Sequence, residues 1–392
     1  MTKSISKVFV AVSGGVDSSV ALALLKRQGY DIVGCFMKNW SRNLPGLECN
    51  WVGDKKDAIR VCAKLGVPFR EVDLEKTYYE KVFKNFIREY KAGRTPNPDI
   101  LCNSEVKFKA FLQWALKNGA DMIATGHYAK IQNSKIKNQN DKSKFKIRYK
   151  LAVAKDKNKD QSYFLYRLGQ KELSRTLFPI GEYDKPKVRM LARKFGLPTA
   201  DKPDSQGVCF VGEVSLETFL QNFIPQKLGR IIRLPEKGYS NVRKNIGIRT
   251  SLVIGEHPGV WYFTIGQRHH LGVKGGGKVL YVAAKDVKRN ILYVAPKNHP
   301  ALYKKELLLK DVSWVSGSAL RLPFRCMARI RYRQPLQSCR IREAKNKKQK
   351  ATFKVVFENP QWAPASGQSA VFYKDEKVIG GGVIFTQHAR SW

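Results

Sequence analysis

Residues 8 to 20, VFVAVSGGVDSSV, carry an apolar strand through a glycine turn into a helix. A turn such as Ser13-Gly14-Gly15-Val16-Asp17-Ser18 aims several backbone N–H groups at one point. Glycine lets the backbone approach an anion closely, and the helix N-terminus adds the positive end of its dipole. Phosphate is the ligand that suits it. The lysine of GxxxxGK[ST] is absent, as is the GxGxxG spacing, so neither a Walker loop nor a dinucleotide fingerprint is present. Read as structure alone, the same glycines would serve a tight strand-to-helix turn. Two cysteines suggest a second kind of chemistry. Cys102 follows Pro-Asn-Pro in GRTPNPDILCN, where Pro96 and Pro98 predict an extended, stiff segment unlike ordinary core. Cys209 lies in DSQGVCFVG, at a glycine-flanked change from polar to apolar residues. A thiolate is a nucleophile, and two of them beside an activating phosphate loop suit attack on an activated carbonyl. Either one alone reads more simply as a small buried residue. Cysteines 35, 49, 62, 326 and 339 complete the set; no CxxC pair occurs, so neither a zinc site nor a disulfide framework is expected.

The elements that must hold these residues follow from the apolar spacing. KVFVAVS, DIVGCFM and FREVDL read as strands, with helices between them at VDSSVALALL and DKKDAIRVCAKLG. Further helices are expected over about 77–92 and 104–118, then a strand at DMIATGHYA. This alternation predicts a parallel sheet covered on both faces. Residues 131–150, polar and lysine-rich, read as a loop or an exposed hairpin. DQSYFLYRL and KPKVRMLARKFG read as helices, and GVWYFTIGQR, KVLYVAAKD and NILYVAP as strands of a bridging region. Beyond about 305, FRCMARIRYR, ATFKVVFE and SAVFYKDEKVIGGGVI alternate as in a small antiparallel barrel. The predicted division is 1–213 (with the basic insert 131–150), 214–300 and 301–392.

The chain has 392 residues, 43% of them hydrophobic, enough for two or three cored domains. No apolar run reaches the roughly 20 residues that span a bilayer, and the first strand begins close to the start, so a cytoplasmic protein without membrane attachment is expected. Lysine and arginine number 72 against 32 acidic residues, a net charge of +40. Such an excess predicts a polyanionic partner, because basic side chains displace the counterions condensed on phosphates. Genome-wide lysine bias would add charge without purpose, and part of the excess is of that kind.

SGGVDSSV after a first strand resembles the pyrophosphate loop (PP-loop) of the ATP pyrophosphatases. Together with GRTPNPDILCN, ATGHYA, KDQSYFL, DSQGVCFVG, TIGQR and RYRQP, in that order, it makes nearly the whole chain similar to the tRNA-specific 2-thiouridylases. The resemblance implies an N-terminal α/β domain with a parallel sheet of the adenine nucleotide alpha-hydrolase-like kind, a small central domain and a C-terminal antiparallel β-barrel. It also implies that Ala11, Val12, Ser13, Gly14, Gly15, Val16, Asp17 and Ser18, with Met37 and Gly126, bind ATP, and that Asn97, Pro98 and Asp99 face the target base. Cys209 then carries a persulfide, with Cys102 its partner; a Cys102–Cys209 disulfide remains if the sulfur leaves as hydrosulfide. His127, Lys159, Asp160, Gln161, Arg331, Tyr332 and Gln368 match positions that touch tRNA. Mg²⁺ would neutralise the triphosphate, with Asp17 a candidate ligand.

The implied substrate is the wobble uridine in the anticodon arm, turned outward to reach a pocket. Its O2 is a poor leaving group until adenylated. Sulfur then arrives either by direct attack of the persulfide on C2 or as hydrosulfide released by Cys102; the residues leave both routes open. The implied partner is a persulfide donor, a cysteine desulfurase or a sulfur-relay protein. Two other readings are another adenylating PP-loop ligase, such as an amidotransferase or a lysidine-forming enzyme, and a noncatalytic RNA binder that kept the loop. After TIGQR, His269-His270 replace the Lys-Gly usual in the family.

Overall fold

Strand β1 (Lys7–Ala11) is buried on both faces, as a near-continuous apolar run requires. The computed structural model describes residues 6–41, 51–137, 145–204, 215–235, 253–271, 273, 279–344 and 353–385. After β1 come helix α1 (Val16–Arg27), β2 (Asp31–Lys38), helix α2 (Trp51–Leu65) and β3 (Phe69–Asp73). Two long helical stretches, 75–91 and 98–117, lead to β4 (Met122–Thr125). A hairpin of β5 (Lys130–Lys137) and β6 (Phe145–Ala152) precedes β7 (Thr176–Leu177), and a helix at Lys185–Lys194 follows. The first sheet is parallel in the order β3-β2-β1-β4-β7. One face is covered by α1, α2 and the 185–194 helix; the other packs on the stretches 75–91 and 98–117.

Strands β8 (Gly229–Arg233), β9 (Val253–His257), β10 (Leu280–Asp286) and β11 (Ile291–Pro296) make a second sheet, ordered β10-β11-β8-β9. The last third holds β12 (Tyr303–Trp314), β13 (Phe324–Arg329), β14 (Gln337–Glu343), β15 (Phe353–Trp362), β16 (Ser369–Lys374) and β17 (Lys377–Phe385). They run in the order β12-β15-β14-β13-β16-β17, and pairing of β12 with β17 closes the barrel. Closure removes the free edges of the sheet. The α/β domain, small second sheet and antiparallel barrel are the expected architecture.

Local expectations fail at four places, each for a stated cause. GVWYFTIGQR is a 3-10 turn at Val260–Tyr262 followed by tight turns, not a strand. Its aromatic residues favour strands, but Tyr262 hydrogen-bonds Ile224 and Phe263 packs in the core instead. DQSYFLYRL holds only the 3-10 turn Ser162–Leu165, pinned by Asp160 through the backbone and hydroxyl of Ser162. The second long helix starts at Pro98, not near 104, with Asn97 as N-cap and proline in the first turn. Cys102 consequently lies on a helix and inside the core, 3% exposed, rather than in an extended polar segment. Of the two readings for 131–150, the hairpin is the one formed, and it pairs outside its own domain: Leu151 and Ala152 lie opposite Val378 and Lys377 of β17.

Candidate active site at the carboxyl edge of the parallel sheet

Strand order reverses direction between β1 and β4, and their carboxyl ends frame the crevice where open α/β sheets bind ligands. The loop leaving β1 forms one wall. Gly14 has φ +76°, and a Cβ there would lie 2.3 Å from the carbonyl oxygen of Asp54, so only glycine fits. The Ser18 hydroxyl accepts from the Ser13 backbone N–H (3.1 Å) and donates to the Gly15 carbonyl (3.0 Å), closing the loop on itself. The first N–H groups of α1, having no intrahelical acceptor, remain for an anion. The opposite wall is Gly126, directly after β4: a Cβ there would stand 2.6 Å from Ser18 N and 2.7 Å from Asp17 C. Met37, half-buried near the end of β2, borders the same edge.

An ion cluster extends this edge. Asp17 Oδ1 accepts from the Tyr128 hydroxyl (2.8 Å) and from Lys185 Nζ (2.7 Å). The same ammonium lies 2.7 Å from Asp204, which also takes Lys159 (2.7 Å) and Arg189 (2.9 Å). Despite partial burial, Lys159 and Lys185 hold the Asp204 carboxyl down at about 2. The burial and the neighbouring Asp17 carboxylate push the Tyr128 phenol well above its ordinary value, so it remains a donor. Among the described residues no three His, Cys, Asp or Glu side chains gather as a metal site. With one Asp17 oxygen committed, Mg²⁺ fits here as an ion carried mainly on nucleotide phosphates, and the expected ligand role of Asp17 narrows accordingly. Lys185 and Arg189 escaped sequence reading because KPKVRMLARKFG shows only helical periodicity; Tyr128 in ATGHYA and Asp204 in DSQGVCFVG stood inside quoted motifs, but nothing local singles them out as partners of Asp17 and Lys185.

Cys102 reaches the same edge by topology. The 98–117 helix must end at the amino edge, since Asp121 N donates to the Lys7 carbonyl and Lys7 N to the Asp121 carboxylate. Its start is therefore at the carboxyl edge. Phe108 packs on the His127 ring at 5.6 Å, which puts Cys102, six residues earlier, at most about 9 Å further along the axis. From Cys102 to Phe111 the helix is wound as a π-helix, a form concentrated at functional sites. Burial raises the Asp99 carboxyl above its ordinary value, with Lys107 opposing. His127, 8% exposed, hydrogen-bonds Thr125 at 2.7 Å; burial, helped by Lys107, lowers it well below 6.5 and leaves it neutral. Cys209 lies outside the described residues, as does Cys49.

The positions expected to touch tRNA divide. Asp160 is 2% exposed, its carboxylate spent on Ala154 N, Ser162 and, at 3.9 Å, Arg329. Gln161 exchanges two hydrogen bonds with the backbone of Tyr128. These two hold the segment in place, and Lys159 is committed to Asp204. Arg331 donates to the carbonyls of Ile265 (3.0 Å) and Ala363 (2.5 Å) and lies over the Trp362 ring, joining barrel to central domain. Tyr332 packs on Phe164 at 4.6 Å, whose carbonyl accepts from Asn103, next to Cys102. Gln368 Nε2 donates to the carbonyls of Thr95 (3.0 Å) and Pro96 (3.3 Å). Thr95 N bonds the Ser366 carbonyl and its hydroxyl meets Thr264 of TIGQR at 3.1 Å. All three domains thus clamp the segment entering the Cys102 helix.

The family models that match this chain agree with its architecture. The family described as tRNA methyl transferase HUP domain matches residues 6–213, the tRNA methyl transferase PRC-barrel domain 217–296, and the aminomethyltransferase beta-barrel domain 304–384. A "tRNA-specific 2-thiouridylase MnmA 2" of Geobacillus kaustophilus is 45% identical, over 97% of this chain and 94% of its own. A "tRNA-specific 2-thiouridylase MnmA" of Nitrosococcus oceani is 44% identical, over 98% of each chain. Among solved structures, NMN synthetase from Francisella tularensis matches 53% of this chain and 68% of its own, at 13% identity and TM-score 0.30.

Proposed function

Because this chain belongs to the family of tRNA-specific 2-thiouridylases, we propose that its sheet-edge site replaces O2 of the wobble uridine of tRNA with sulfur, converting ATP to AMP and pyrophosphate. The phosphate loop and Gly126 cradle the triphosphate, and Lys185 and the first turn of α1 supply the positive field that a missing Walker lysine would give. Uridine O2 attacks the α-phosphate, pyrophosphate leaves, and C2 then carries AMP as its leaving group. Asn97, Pro98 and Asp99 border the base. A persulfide on Cys209 brings the sulfur, and Cys102, which at 3% exposure is reached only by groups delivered into the site, takes part in its release. Lys159, His127, Arg331, Tyr332 and Gln368 belong to the face that receives the anticodon arm. The persulfide is refilled by a cysteine desulfurase or a relay protein.

The observation that carries this reading is the shared edge: the loop that suits phosphate and the start of the Cys102 helix both stand at the carboxyl ends of β1 and β4. The test is mass spectrometry of tRNA nucleosides after incubation with ATP, Mg²⁺ and a desulfurase with cysteine. Sulfur in place of oxygen on the wobble uridine is expected. Cys102→Ser and Cys209→Ser should each abolish it, and full activity in both would exclude thiol chemistry. Pyrophosphate release that requires added tRNA separates this reaction from other adenylations.

A further inference from the structure

Cys326 and Cys339 take no part in the site at the sheet edge, yet the barrel brings them together. They are directly opposed in the antiparallel register of β13 and β14, and their Sγ atoms lie 3.6 Å apart. Cys339 is buried in the barrel core among Ile341, Val355 and Phe357, while Cys326 keeps partial solvent access. Opposed residues of an antiparallel pair have Cα atoms about 4.5 or 5.5 Å apart, inside the range of roughly 4.4–6.8 Å that a disulfide spans. Bonding therefore needs side-chain rotation to about 2 Å between sulfurs, with the strands left in place.

We propose that Cys326 and Cys339 form a redox-active cross-strand pair that low-molecular-weight disulfides oxidise. The Cys326 thiolate attacks one sulfur of the small disulfide and expels the first thiolate. Cys339, losing its proton to water, attacks the Cys326 sulfur of the mixed disulfide and expels the second. The two protein thiols lose two electrons and two protons; the small disulfide gains both electrons and leaves as two thiols. The hydrogen bond to Cys339, together with burial, pushes the Cys326 thiol up, so thiolate is scarce at neutral pH and oxidation accelerates as pH rises. The bond staples the hairpin whose turn, residues 330–336, presents Arg331 and Tyr332 between the domains.

The test uses the full chain carrying Cys102→Ser and Cys209→Ser, equilibrated with glutathione disulfide, quenched in acid and mapped without reduction. Expected are a peptide pair joined through 326 and 339, two hydrogens lighter than its reduced form and lost on reduction, and slower amide exchange over β13 and β14. The rate of joining should rise several-fold from pH 7 to pH 8. Cys326→Ala should abolish the link and leave Cys339 unmodified. Recovery of both thiols unlinked, or an unresolved glutathione adduct on Cys326 alone, overturns the proposal.

Discussion

Lys185 ties the loop after β1 to Asp204 by way of the Asp17 carboxylate. It is 9% exposed and bridges Asp17 and Asp204 at 2.7 Å each, so its removal leaves two carboxylates facing one another beside the nucleotide site. Lys185→Met should raise KM for MgATP by about tenfold, equivalent to about 1.4 kcal/mol, while tRNA affinity holds; Lys185→Arg should restore part of it. Steady-state kinetics with each substrate varied separately checks this. Gly126→Ala is the harsher change, because the added carbon meets backbone on α1 rather than a movable side chain. Titration calorimetry should find no measurable ATP binding, with the melting temperature lowered by only a few degrees. His257 gives a pH signature remote from the chemistry. Burial lowers it from 6.5 to about 4, so the folded protein keeps it neutral while the unfolded chain protonates it. The unfolded state binds more protons across that window, and stability falls as pH drops from 6.5 to 4, by on the order of 3 kcal/mol, staying level above 6.5 on this residue's account. Denaturant unfolding of His257→Gln should show a flatter profile there.

At the scale of elements, the helix over 98–117 matters through its entry segment rather than its length. Gln368 on the barrel side and Thr264 in the central domain both hold Thr95, three residues before Pro98. Gln368→Ala deletes two hydrogen bonds to backbone carbonyls, each worth roughly 1 kcal/mol. Turnover should drop by about tenfold with KM for ATP unchanged, since the phosphate loop is untouched; a change in KM alone would assign Gln368 to nucleotide binding instead. The resemblance placed Gln368 and Arg331 at the tRNA. Their hydrogen bonds here are internal, so they position the site's entry in the free enzyme whatever they do once RNA arrives.

Across the whole molecule the net charge of +40 is the dominant property. An enzyme gripping the phosphates of an anticodon arm releases one condensed counterion for each phosphate neutralised. Binding to unmodified tRNA should therefore weaken by roughly 10³-fold between 50 and 200 mM salt if about six phosphates are engaged. Filter binding across that range measures the slope, and a flat response would remove RNA from the account of the charge. The same scale shows why the domains act as one body. The hairpin β5–β6 leaves the α/β domain to pair with β17, and Tyr163 donates to the Ser369 carbonyl at 2.8 Å, so the barrel is fastened to the α/β domain at two points along β16 and β17.

Local chemistry and periodicity were enough to read the parallel α/β domain, the glycine turn after its first strand and the closing barrel. An apolar strand running into SGGVDS leaves the backbone few choices, and alternating apolar runs can bury only one face. The thiouridylase resemblance was likewise carried by short motifs, some bearing the reactive groups and others, such as KDQSYFL, TIGQR and RYRQP, holding the domains together. What spacing could not supply is anything made by residues far apart in the chain. Asp17 meets Lys185 across 168 positions and Gln368 meets Thr95 across 273, and neither Lys185 nor Thr95 looks unusual where it stands. VWYFTIGQR has the composition of a strand and folds as turns because its aromatic rings find better partners in the core than a neighbouring strand would offer. Propensity is a fraction of a kcal/mol per residue, and burial of one such ring outweighs it.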